Sequence, residues 1–162
     1  MTDPKKIVLL GATGSIGEST LQVIRKHPDR LQLIGVSAHS NSQKLADISN
    51  EFKVPHAYLP ETASEVTDWP SHCSLDRSTN GLTDIAALEE ADVVVVAIVG
   101  ASGLGPTLSA LQAGKDVVLA NKESLVLGGD LVMRTAKDNG ARVIPADSEH
   151  NAVFQCIQGE KH

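Results

Sequence analysis

The sequence predicts a doubly wound α/β fold: a mostly parallel sheet with helices on both faces. Three observations carry this expectation. Short apolar runs alternate with amphipathic stretches of helical period along all 162 residues. The strongest run, Asp92-Val93-Val94-Val95-Val96-Ala97-Ile98, is β-branched and apolar on both faces, as a strand in the middle of a parallel sheet must be. A glycine-rich turn, Gly11 to Gly17, sits where the first run gives way to the first helix.

Taken in order, Lys6–Leu10 is a buried strand ending at Gly11, and Ser15–His27 is a helix stopped by Pro28. Leu31–Ala38 is the second strand, and Ser42–Phe52 a helix with Leu45, Ile48 and Phe52 on one face. Pro55, Pro60 and Pro70 break residues 53–80 into short edge strands and loops. Leu82–Glu90 reads as a helix leading into the valine strand. Helix Leu104–Ala113 ends at Gly114, strand Asp116–Ala120 leads to helix Lys122–Asn139 before Gly140, and strand Ala141–Ile144 precedes Pro145. Ala152, Val153, Cys156 and Ile157 form an apolar stripe that starts one more helix. No internal repeat or linker is visible.

Composition narrows the function. Aromatic residues are scarce (one Trp, one Tyr, two Phe), so the core is built of Val, Ile, Leu and Ala. A formal net charge of -6 without any long Lys/Arg run argues against a nucleic-acid partner. Cys73 and Cys156 form no CxxC pair and fit reduced thiols. No apolar stretch is of membrane-spanning length, and Met1–Pro4 leaves no room for a leader, so the expected location is cytoplasmic with no membrane partner.

Gly11-Ala12-Thr13-Gly14-Ser15-Ile16-Gly17 joins strand to helix as GxxGxxG. Glycine allows the sharp turn and close approach of a pyrophosphate, and the helix N-terminus adds free N–H groups. As a bare pattern it is weak, and a turn needed only for packing would look the same. Its place after a strand and before a helix makes dinucleotide binding the better reading, in a Rossmann-type sheet. NAD sites usually end the second strand with a carboxylate for the ribose 2′-OH. Here that strand runs into His39-Ser40-Asn41-Ser42, with no acid, which favours NADP. The same residues also serve as a polar cap for the next helix.

Two further strand ends carry polar chemistry. In Asn121-Lys122-Glu123-Ser124, Asn121 suits an N-cap and Glu123 a first-turn acid, whereas a cation there is unfavourable. Lys122 is therefore a candidate substrate residue. In Asp147-Ser148-Glu149-His150-Asn151, an extended Asp147–Glu149 would put both carboxylates on one side, where a divalent cation such as Mg²⁺ or Mn²⁺ could neutralise them. An exposed acidic turn is the plainer alternative, and two carboxylates do not close a metal site. The histidines show no zinc spacing, and no GxSxG elbow or Cys–His pair points to covalent catalysis.

Lys6–Gly17, Ala97–Leu104, Leu119–Val126 and Asp147–Ala152 together resemble 1-deoxy-D-xylulose-5-phosphate reductoisomerase, in register from about residue 5 to residue 158. The resemblance implies the N-terminal, NADPH-binding portion of an enzyme of non-mevalonate isoprenoid synthesis. The whole enzyme would rearrange a sugar phosphate with a divalent metal, reduce the product with NADPH to 2-C-methyl-D-erythritol 4-phosphate, and act as a homodimer. It further implies that Thr13, Gly14, Ser15 and Ile16 cradle the cofactor and that His39, Ser40 and Asn41 read the 2′-phosphate region. Asn121 and Glu123 would contact the nucleotide, Lys122 and Ser148 the substrate, and Asp147 and Glu149 the metal, Glu149 thereby joining the catalytic group.

Two departures accompany the resemblance. Ser40 stands where family members often carry lysine, which would weaken NADP preference. The chain is also short for the family, so residues 1–145 are expected to form the cofactor domain and 146–162 only the start of a catalytic domain. The third carboxylate ligand, the lid and the C-terminal helical domain are expected to be missing, leaving this chain by itself with little or no turnover. The competing readings are a stand-alone NADP-binding module and another Rossmann oxidoreductase, such as one of semialdehyde dehydrogenase type. The Lys122 and Asp147–Glu149 set argues against the first, and the positions of Cys73 and Cys156 against the second.

Overall fold

The computed structural model describes residues 3–146, together with 151, 152, 155 and 156. Seven parallel strands form one sheet in the order β4-β3-β2-β1-β5-β6-β7. The strands are β1 (Lys5–Leu10), β2 (Leu31–Ser37), β3 (His56–Tyr58), β4 (Ser74–Asp76), β5 (Val93–Val96), β6 (Asp116–Leu119) and β7 (Val143–Pro145). The helices are α1 (Ser15–Lys26), α2 (Ser42–Glu51), α3 (Gly81–Ala86), α4 (Leu104–Gln112) and α5 (Lys122–Asp138). This is the doubly wound arrangement expected, with an all-parallel sheet.

Burial explains the order. Val94 and Val96 of β5 are fully buried between β1 and β6, each stabilising the fold by about 1.5–3 kcal/mol. One apolar cluster joins Leu9, Leu21, Val36 and Leu45 on the α1/α2 face. A second joins Val8, Leu10, Ile85, Val96, Leu111 and Val132 on the α3/α4/α5 face. A sheet buried on both sides must have helices on both sides, and the chain crosses from one set to the other between β1 and β5.

Several boundaries differ from expectation for local reasons. The third helix stops at Ala86 instead of running to Glu90. Asp92 is anchored to β1, its N–H donating to Lys6 O (2.9 Å) and its carboxylate accepting from Lys6 N (2.7 Å). Residues 87–91 must therefore turn from the helix layer back to the sheet. Pro145 lies inside β7 rather than after it, tolerated because β7 is the outer strand of the sheet among the described residues. A short 3₁₀ turn, Ala101–Gly103, precedes α4, and α5 is kinked at Gly128. Gly114 and Gly140 follow α4 and α5 at positive φ, as the expected C-terminal stops.

Candidate functional site

The switch between the two crossover directions lies at the carboxyl ends of β1 and β5, where open α/β sheets bind ligands. Here the glycine turn is shaped by backbone contact. Gly11 takes φ +84°, and a Cβ on it would lie 2.5 Å from Ala97 O at the end of β5. A Cβ on Gly17 would lie 2.4 Å from Gly11 O and 2.6 Å from Ala12 O. These two glycines are packing requirements. Gly14 differs: it is exposed, and the nearest atom to a Cβ there would be Gly11 O at 3.5 Å. Gly14 is the N-cap of α1 and supplies no side-chain hydrogen bond, so the first turn of this helix is left without the cap that Asn41 gives α2 and Asn121 gives α5. Ser15 and Ile16 are exposed in that first turn.

The turn opens on a cleft of about 420 Å³. Thr13, Gly14 and His39 line it, together with Tyr58, Leu82, Val99 and Ser102, which the sequence reading did not single out. Burial pushes the Tyr58 phenol up, with the Asp76 charge adding to the effect. Tyr58 ends β3, Leu82 lies in α3, and Val99 and Ser102 share the segment between β5 and α4, so only the folded sheet brings the three places together. A larger cleft, about 810 Å³, lies at the opposite, amino end of the strands among Lys5, His27, Arg30 and Asp92. It offers neither a glycine turn nor a helix N-terminus.

The β2–α2 loop has its own polar supply. Asn41 caps α2, its side-chain oxygen accepting from Lys44 N at 3.1 Å. Ser40 is exposed, and Ser42 Oγ is buried with no hydrogen-bond partner among the described residues. An uncapped helix start beside a glycine turn that opens on a cleft fits a phosphate-rich ligand.

Asn121 is only 1% exposed, and its amide is fully engaged. Its oxygen accepts from Ser124 N and Ser124 Oγ, both at 2.7 Å, while its nitrogen donates to Ile98 O (2.5 Å) and Gly100 O (2.7 Å). It thus ties the start of α5 to the loop whose Ile98, Val99 and Ser102 line the cleft. Lys122, the next residue, is exposed, and among the described residues its ammonium has no hydrogen-bond or ion-pair partner; Glu123 is half-buried in the first turn of α5. Asp147, Ser148, Glu149 and His150 lie outside the described residues. Cys73 is buried, and burial pushes its thiol up, which makes it a poor nucleophile.

Residues 7–129 match the family model for 1-deoxy-D-xylulose 5-phosphate reductoisomerase. The chain belongs to this family. The Clostridium kluyveri 1-deoxy-D-xylulose 5-phosphate reductoisomerase is 46% identical over 162 residues, covering 96% of this chain and 42% of its own length. A crystal structure of DOX-P reductoisomerase in complex with NADPH, fosmidomycin and magnesium superposes with a TM-score of 0.88 at 45% identity, covering 94% of this chain and 38% of that one. The Zymomonas mobilis reductoisomerase in complex with NADPH gives a TM-score of 0.87 at 39% identity, covering 94% of this chain and 41% of that one. The chain therefore spans about two fifths of the relatives it matches. Among the described residues no helix is long and apolar enough to cross a membrane.

Proposed function

We propose that this reductoisomerase-family chain binds NADPH in the β1/β5 cleft, as the cofactor portion of an enzyme that converts 1-deoxy-D-xylulose 5-phosphate to 2-C-methyl-D-erythritol 4-phosphate. The observation that carries the reading is the uncapped first turn of α1, set behind an exposed Gly14 at the mouth of the cleft. Reductoisomerase structures with NADPH bound share this fold at 39–45% identity. In this reading, Thr13, Gly14, Ser15 and Ile16 hold the pyrophosphate with backbone groups, while His39, Ser40 and Asn41 border the 2′-phosphate. Asn121 acts chiefly by positioning the loop that faces the nicotinamide side, with Glu123 beside it. NADPH, when bound, supplies the hydride; the chain fixes its position.

The same reading gives Lys122 and Ser148 to the sugar phosphate and Asp147 and Glu149 to a divalent cation, Mg²⁺ or Mn²⁺. Lys122 would then put its ammonium where negative charge develops on substrate oxygen. Residues 1–145 are the cofactor domain, and 146–162 open the catalytic one. By itself this chain is expected to show little or no turnover, because a two-carboxylate set neither encloses a cation nor excludes water. Product formation by the isolated chain, followed as NADPH absorbance loss with substrate and Mg²⁺ present, would contradict this.

Calorimetric titration with NADPH and with NADH tests the central reading. Saturable NADPH binding, weaker for NADH, is the expected result. Equal binding of both keeps the cleft and removes the 2′-phosphate assignment. A folded chain that binds neither removes the cofactor reading altogether.

A further inference from the structure

Discrimination for a 2′-phosphate needs positive charge, and the His39-Ser40-Asn41 loop contains no Lys or Arg. The oxygen of Asn41 is already committed to capping α2. One cation nevertheless reaches this corner. Lys44, in the first turn of α2, extends back toward the glycine turn, its Nζ lying 3.3 Å from Thr13 O and 3.0 Å from Glu18 Oε2. The ammonium thus links the first turn of α2 to the glycine turn that opens on the cleft. Its side chain is 39% exposed, so the flexible stem is free to swing.

A lysine in the first turn of a helix opposes the helix dipole, so α2 itself does not account for it. Glu18 compensates, and the ammonium holds the Glu18 carboxyl below its ordinary range. Glu18 is not left alone when Lys44 departs. Arg25 also reaches it, at 3.4 Å, while gripping Glu51 through two bonds of 2.5 and 2.8 Å. Arg25 is the fixed member of this network and Lys44 the movable one.

We infer that Lys44 is the specificity-determining cation for the 2′-phosphate of NADPH, and that Glu18 holds it as a competing anion until the cofactor arrives. The inference rests on the NADPH reading above. On binding, the phosphate takes the ammonium from Glu18, and Glu18 keeps Arg25. An ordinary α1–α2 surface pair would contribute little to stability and nothing to cofactor choice.

The test measures dissociation constants for NADPH, NADH, adenosine 2′,5′-bisphosphate and 5′-AMP with the wild-type chain, Lys44→Gln, Lys44→Arg and Glu18→Gln, each checked for folding by circular dichroism. Lys44→Gln is expected to weaken NADPH and the bisphosphate by roughly tenfold to a hundredfold, leaving NADH and 5′-AMP unchanged. Lys44→Arg should restore most of the loss. Glu18→Gln should tighten NADPH several-fold, a gain that a folding defect does not produce. An unchanged NADPH-to-NADH ratio in Lys44→Gln, or equal weakening of both, overturns the inference while leaving the cleft assignment intact. So does a Glu18→Gln variant that fails to tighten NADPH. Wild-type protein that binds no dinucleotide overturns the NADPH reading, and this inference with it.

Discussion

Gly14 and Gly17 belong to the same turn and meet different surroundings. A methyl group on Gly17 would press on two backbone carbonyls, at 2.4 and 2.6 Å, so Gly17→Ala is expected to cost about 2–3 kcal/mol in urea unfolding. A methyl group on Gly14 meets nothing closer than 3.5 Å, and φ there is -84°. Gly14→Ala should therefore change stability by only about 1 kcal/mol or less, while weakening NADPH binding clearly. If both variants lost stability and binding in proportion, Gly14 would be one more packing glycine. Asn121 gives a third test at this scale. Removing its amide strands two carbonyls and the Ser124 N–H in a buried place, so Asn121→Ala should cost about 2–3 kcal/mol. Asn121→Asp keeps the cap oxygen but sets a buried carboxylate against the same two carbonyls, so it should lower the unfolding midpoint as well. The strand-to-helix turn that carries Thr13 and Gly14 to the cleft was legible in the sequence because the motif is contiguous. Tyr58 and Leu82 were not, since each reaches the cleft only through the pairing of distant strands, and the approach of Lys44 to Thr13 depends on the packing of α2 beside α1.

Elements were legible where hydrophobic period and length agreed. The valine strand was placed in the middle of the sheet because nothing else buries four successive valines, and β5 does lie between β1 and β6. The third helix was drawn too long because Leu88 continues the apolar pattern past Ala86. Periodicity does not reveal that Asp92 is already bonded to β1, which forces the chain to leave the helix early. At the outer edge, strand β6 is clamped to the segment leading into β7 by Asp116, whose carboxylate accepts from Arg142 N at 2.9 Å and from its guanidinium. The guanidinium hydrogen bond holds the Asp116 carboxyl below its usual range. A depressed folded pKa means stability that is present above the ordinary aspartate value and lost as pH falls through the depressed one. Asp116→Asn is expected to lower the thermal midpoint at neutral pH and to flatten its decline in acid. An unaltered acid limb in the variant would show that the clamp contributes nothing.

At the scale of the whole molecule, the sheet separates two clefts. The smaller, at the carboxyl ends of the strands, joins the glycine turn, the β2–α2 loop and the β5–α4 loop. The larger, at the amino ends, joins Val23 of α1 to charged residues of the α1–β2 segment and the strand starts. Fold class was legible from the order of strands and helices, and with it the switch beside the first strand. How much of the α5 surface stays open was not legible from an amphipathic pattern. Val126 and Leu127 are 82% and 61% exposed, in a chain that spans 42% of a full-length relative. The account turns on which cleft takes the cofactor, and amide NMR of the labelled chain titrated with NADPH tests this most directly. Saturable shifts at Thr13–Ile16, His39–Asn41 and Leu82, with His27, Arg30 and Asp92 unmoved, are predicted. Shifts centred on the amino-end cleft, or none at the glycine turn while NADPH binds, would contradict the account.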